Sequence, residues 1–239
     1  MKRLALLATV VAASPALADE GMWTFDNFPS AAVKEKYGFE PDRDWLDHVQ
    51  LSSARLANGC SGSFVSPSGL VLTNHHCVHT CVEQLSTAKR DYVQQGFLAR
   101  TQAEEKVCPA TEINQLRRIS DVTGVVSEAT AGLDGKAFAE AQRAAMSKLE
   151  KECADTPDKR CDVVTLYNGG RYALYEYKRF QDVRLVFVPE LATAFFGGDP
   201  DNFMFPRYNL DAAFLRVYEN GKPAVLDHWL AWSSGGARE

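Results

Sequence analysis

The run Thr73-Asn74-His75-His76-Cys77 gathers the residue types with most chemical potential in this chain of 239 residues. Histidine is the side chain best suited to move protons near neutral pH, and this doublet follows directly on the apolar run Leu70-Val71-Leu72. A histidine base needs a carboxylate that fixes its tautomer and stabilises the imidazolium. Asp211 is the best candidate, because it opens the apolar run Asp211 to Val217, whereas Asp199 and Asp201 lie in a loop without that strand context. A nucleophile is what the chain lacks. Ser61 sits in Gly59-Cys60-Ser61-Gly62-Ser63, a superficial match to a Gly-x-Ser-Gly pattern, but it belongs to the first strand of the hairpin that leads to the histidines. The same region offers zinc-ligand types in His75, His76, His79, Cys77 and Cys81. Cysteines of an exported chain with an even cysteine count go preferentially into disulfides, so no metal and no cofactor are expected.

The elements that must position these residues are short. Phe64-Val65 and Leu70 to Leu72 are strand-forming, with turn chemistry in Ser66-Pro67-Ser68-Gly69 between them. Upstream, Ser30 to Tyr37 and Asp42 to Leu56 read as helices. Thr80 to Leu116 reads as helical in pieces, including Thr87 to Tyr92 and Thr101 to Lys106. Val122 to Val126 is a strand candidate. Lys136 to Cys153 is the clearest helix, rich in Ala, Glu, Lys and Gln, and forms a helical insertion near 134–155. Val163 to Tyr167, Arg171 to Tyr177, Asp182 to Val188 and Asp211 to Tyr218 are β-branched and aromatic strands. Many short strands with inserted helices predict a mainly β fold, a small barrel, with an α+β sheet as the alternative.

Composition sets the context. The chain is 46% hydrophobic and 24% charged, the balance of a protein with a core. Lys2-Arg3, the apolar run Leu4 to Ala13 and the small residues around Ala16-Leu17-Ala18 form a secretory signal peptide over residues 1–18. Without Lys2 and Arg3 the formal charge moves from −5 to −7. A mildly acidic chain without basic clusters argues against nucleic acid as a partner, and no later run is long and apolar enough for a membrane span. The expected location is the periplasm or the cell exterior. All six cysteines lie after residue 18. Sequence alone permits fifteen pairings, and nearness favours Cys60–Cys77, Cys81–Cys108 and Cys153–Cys161.

The histidine run resembles the Thr-Ala-Ala-His-Cys motif of trypsin-like peptidases, and Asp211 to Leu215 resembles their Asp-Ile-Ala-Leu-Leu segment. That resemblance selects His76, rather than His75, as the base and Asp211 as its orienting carboxylate. It also implies a disulfide from Cys77 to the preceding strand, where Cys60 fits. In such chains the nucleophile comes last, from a second barrel, which makes Ser61 a decoy. Residues 19–239 as a whole resemble the bacterial exported serine dipeptidyl-peptidases, serine peptidase family 46, of the dipeptidyl-peptidase 7 and 11 types. The resemblance runs from Asp19-Glu20-Gly21-Met22-Trp23, through the histidine run, to Phe196-Gly197-Gly198-Asp199-Pro200-Asp201-Asn202 and Leu215 to Pro223. It implies a chymotrypsin-like double β-barrel with an inserted helical domain, of which this chain is the first half. It implies removal of dipeptides from peptides with a free N-terminus, and a homodimer as in the family. Asn202 matches the asparagine that holds the substrate amino group. The family tryptophan beside it is here Phe203, and the family histidine before the aspartate's turn is here Tyr208. Family members run far beyond Glu239 and carry a Gly-Asn-Ser-Gly-Ser nucleophile there, so the chain reads as an N-terminal portion with little activity by itself. The competing reading is a catalytically inactive peptide-binding or scaffold domain.

Overall fold

The computed structural model describes residues 21–198 and 204–235. The signal segment 1–18 and the loop positions Asp199, Asp201, Asn202 and Phe203 lie outside the described residues. The chain divides into two units, up to Glu40 and from Pro41 onward. In the first, a single 3-10 turn over Phe25–Asn27 precedes helix α1 (Ser30–Tyr37). The helix stops at Gly38, whose φ of +69° suits a residue without a Cβ and whose N–H reaches Lys34 O at 2.9 Å.

The second unit opens on α2 (Arg43–Ser52), capped by the Asp42 carboxylate accepting from Trp45 N at 2.8 Å. The sequence predicts this helix as far as Leu56. It ends instead at Ser52, and Ser53–Leu56 becomes strand β1, with Ala54 and Leu56 buried in alternation. Pairing to strands on both sides overrides the helical reading. The strands β2 (Ser61–Phe64) and β3 (Leu70–Thr73) form the predicted hairpin. Next come α3 (His75–Leu85), α4 (Tyr92–Gln95), the short strands β4 (Phe97–Leu98) and β5 (Lys106–Val107), and the long strand β6 (Ile113–Asp121). The helical pieces expected between residues 87 and 106 shrink to α4 and one 3-10 turn. The predicted strand Val122–Val126 is instead the start of helix α5 (Thr123–Thr130). Asp121 Oδ1 takes the Thr123 N–H at 2.8 Å and starts the helix, so Val122 and Val126 fall one turn apart on its buried side. Helix α6 (Gly135–Cys153) is the predicted insertion. Five strands follow: β7 (Lys159–Leu166), β8 (Arg171–Phe180), β9 (Asp182–Val188) and, after the short helix α7 (Leu191–Ala194), β10 (Ala213–Glu219) with its hairpin partner β11 (Lys222–Pro223).

These strands form one antiparallel sheet in the order β4-β9-β10-β3-β2-β1-β6-β8-β7, with β5 on β9 and β11 on β10. The hydrogen-bonded path is open, yet it must coil. β8 and β9 stand near opposite ends of the path and are joined by Gln181 alone. Neighbouring strands are about 4.8 Å apart and one residue reaches about 3.5 Å, so a flat sheet is excluded. Phe64 of β2 meets Phe180 of β8 edge to face across the interior, with ring centroids 5.9 Å apart. The core inside the coil is Phe64, Val71, Ile113, Phe180, Leu185 and Leu215, all at most 1% exposed. A smaller cluster of Val122, Val126, Val163 and Tyr172 lies under α5 and α6. The fold is the mainly β, chymotrypsin-like class with helical insertions that the sequence predicts, with the barrel left open in its hydrogen bonding.

Candidate active site

The pairing of β3 with β10 builds the site. Thr73, the last residue of β3, lies opposite Ala213, the first of β10. The chain leaving β3 therefore passes the chain entering β10, and Asn74 to His76 meet Asp211 there. Asn74 is extended and stands at the N-cap position of α3 without a side-chain capping bond, so His75 and His76 fall in the first helical turn. Backbone N–H groups in a first turn have no partner inside the helix. That of His76 is taken by Asp211 Oδ1 at 3.1 Å. The His76 ring then faces the same carboxylate, with Nδ1 to Oδ2 2.7 Å. A carboxylate only accepts, so Nδ1 carries the proton and Nε2 keeps its lone pair.

Asp211 is held from further sides. Asn74 Nδ2 donates to its backbone carbonyl at 2.9 Å and to Oδ2 at 3.3 Å. Arg207 Nη2 donates to Oδ2 at 3.2 Å, while its Nε donates to Asn209 Oδ1 at 3.1 Å. The carboxylate is 7% exposed and the imidazole 54% exposed. Burial pushes the Asp211 carboxyl up, but the His76 backbone N–H and ring, with the Arg207 guanidinium, outweigh it and hold the group below the ordinary aspartate range. The pair is thus a buried anion behind an accessible imidazole, an arrangement that accepts a proton at Nε2 and stabilises the cation formed.

His75 points the other way. It is 2% exposed, and burial, followed by the nearby His79, depresses its basicity. A backbone hydrogen bond to Pro189 opposes that fall. His75 therefore stands as a neutral inner wall of a cavity of about 310 Å³ that His76 shares with Leu191, Ala194 and Phe195. Ser61 begins β2, and its carbonyl accepts from Thr73 Oγ1 at 2.9 Å. Among the described residues no hydrogen bond joins Ser61 to His76.

The three disulfides are Cys60–Cys77, Cys81–Cys108 and Cys153–Cys161, the pairing that nearness favoured. The first two tie α3 to the residue just before β2 and to the segment after β5. Asn58 Nδ2 adds a bond to Cys77 O at 2.9 Å. The zinc set read from the sequence is divided, because Cys77 and Cys81 belong to different bridges. Sequence reasoning paired His76 with Asp211 but missed Arg207 and Asn74. Both were readable as polar residues within a few positions of the pair. Asn202 and Phe203 lie outside the described residues, in a loop whose described neighbours Phe196, Met204 and Phe205 are 63%, 61% and 96% exposed.

Among curated proteins, the chain is similar to Dipeptidyl-peptidase 7 of Porphyromonas gingivalis, 35% identical over 87% of this chain and 30% of that protein. It is also similar to the Asp/Glu-specific dipeptidyl-peptidase of Shewanella putrefaciens, 35% identical over 93% of this chain and 31% of that protein. Among solved structures, Porphyromonas endodontalis DPP11 in an alternate conformation superposes with a TM-score of 0.80 at 29% identity, over 93% of this chain and 36% of that one. The chain thus spans about a third of the length of these relatives. The Peptidase S46 family model matches residues 18–239, and the chain belongs to that family.

Proposed function

We propose that these residues form the base-bearing barrel of an exported serine dipeptidyl-peptidase, which removes dipeptides from the free N-terminus of peptides. The observation that carries the reading is the His76–Asp211 pair, in which one carboxylate accepts both the backbone N–H and the ring Nδ1–H of the same histidine. In an acyl transfer, His76 Nε2 takes the proton of a serine hydroxyl as it attacks the carbonyl after the second residue, and later gives it to the leaving amine. Asp211 keeps Nδ1 protonated and stabilises the imidazolium. The serine comes from outside these 239 residues, and Ser61 plays no part. Asn202, beside Phe203, holds the substrate's amino group, which sets the cut two residues in. The names of the relatives support the dipeptidyl specificity. Three disulfides and the signal segment support export to an oxidising compartment, the periplasm.

The test joins this chain in frame to the part of Porphyromonas gingivalis Dipeptidyl-peptidase 7 that it does not cover. The joined protein is assayed on one peptide with a free and with an acetylated N-terminus. The expected result is dipeptide release from the free peptide alone. Equal cleavage of the acetylated peptide, or release of single residues, contradicts the proposal. A soluble, folded joined protein that binds the free peptide without cutting it favours a peptide-binding domain instead.

A further inference from the structure

The disulfide beside the base is chemically more than a tether. Cys60 Sγ, Cys77 Sγ and a ring nitrogen of His76 all lie within 4.8 Å of one another. Among the described residues this is the one group of three His, Cys, Asp or Glu side chains gathered so closely. Two thiolates and an imidazole with an open fourth position form a ligand set that zinc takes readily. With the sulfurs bonded to each other, neither is a thiolate and the set does not exist.

We propose that opening the Cys60–Cys77 disulfide turns this corner into a site for one soft divalent cation, zinc foremost, held by Cys60 Sγ, Cys77 Sγ and His76. The reductant is an external dithiol. One of its thiolates attacks a sulfur of the bridge and its second thiol resolves the mixed disulfide. The products are the external disulfide and the Cys60 and Cys77 thiols. Zinc then displaces the two thiol protons to solvent and leaves a neutral dithiolate–metal–imidazole unit.

The surroundings favour this bridge over Cys81–Cys108 and preserve the site once it opens. Cys60 is half-buried and Cys77 8% exposed, a placement shared by Cys153–Cys161, so a reductant has a sulfur to attack in both bridges, whereas Cys81 and Cys108 are 4% and 2% exposed. With Cys81–Cys108 intact, α3 stays anchored. Asn58 still holds Cys77 O, and β2 stays paired to β1 and β3. The three donors therefore remain near one another without the covalent bond. Asp211 already stands behind His76 as the carboxylate that orients an imidazole ligand in zinc sites. If His76 is the base proposed above, the metal removes it. Ligation through Nε2 consumes the lone pair that receives the proton, and ligation through Nδ1 breaks the bond to Asp211. The reduced, metal-loaded state is then an off state.

The test uses this chain, reduced with dithiothreitol that is removed under nitrogen, and titrated with Co²⁺ as a spectroscopic stand-in for zinc. Alkylation and mass mapping identify the opened bridge. The expected result is one equivalent bound, with a thiolate-to-cobalt charge-transfer band that the oxidised chain lacks. His76→Ala, which keeps the bridge in the oxidised protein, is expected to weaken binding by about tenfold or more. Cys60→Ser/Cys77→Ser is expected to abolish the band. A band that survives the double substitution, an affinity unchanged by His76→Ala, or a reduced chain that binds no cobalt, folded or unfolded, overturns the site.

Discussion

Asp211 carries the sharpest consequence of the site's geometry. Four donors converge on its two oxygens: the His76 N–H, the His76 ring, Asn74 and Arg207. Burial alone raises a carboxyl's proton affinity, and these donors reverse the sign. A carboxyl whose folded value lies below its unfolded value adds stability above the unfolded value, near about 3.9. That stability is lost as the pH falls through the folded value. Wild type is therefore expected to exceed Asp211→Asn by about 2 kcal/mol near neutrality, the scale of hydrogen bonds to a charged group. The difference is expected to shrink as the medium is acidified below about pH 4. Urea unfolding across an acid series measures it, and a gap independent of pH counts against the donors acting on a charged Asp211.

At the scale of elements, a second buried charge holds the sheet around the site. Glu105, just before β5, is 2% exposed at its side chain and accepts from Arg216 Nε at 2.9 Å. It also accepts from the Tyr218 hydroxyl at 2.7 Å. Arg216 reaches Ser68 O at 2.7 Å, so one cation ties the β2–β3 turn to β10 and β5. Burial first, and then the Glu105 carboxylate, pushes the Tyr218 hydroxyl up to about 12. Glu105→Ala leaves the Arg216 charge buried without its carboxylate, and an expected loss of about 3–5 kcal/mol follows in chemical denaturation. A loss under about 1 kcal/mol would mean that water replaces the carboxylate. The turn itself depends on Gly69, at φ +71°, where a Cβ would meet Val217 O at 2.8 Å.

At the scale of the whole molecule, what was legible was whatever had a local cause. The strands after Cys161 declare themselves by β-branched and aromatic runs, and α6 by its helix formers. The histidine doublet and Asp211 stand out because each flanks an apolar strand, and it is the resemblance to trypsin-like peptidases that selects His76 from the doublet. Their pairing rests on the β3–β10 register, which joins residues more than a hundred positions apart and has no local signature. Helix α3 was missed because histidines, cysteines, valines and threonine are weak helix formers. Its buried residues Cys77, Val78, Cys81 and Val82 nonetheless recur at helical spacing. β1 and α5 were misread where pairing and capping outweighed propensity. In the proposed enzyme this barrel supplies the base and its carboxylate, and the nucleophile comes from elsewhere. That division of roles is tested most directly by kcat of the joined protein carrying Asp211→Asn, His76→Ala or Ser61→Ala. The expected result is a fall of about 10⁴-fold for Asp211→Asn, at least as much for His76→Ala, and wild-type turnover for Ser61→Ala. Loss of turnover in Ser61→Ala, with Asp211→Asn near wild type, would contradict it.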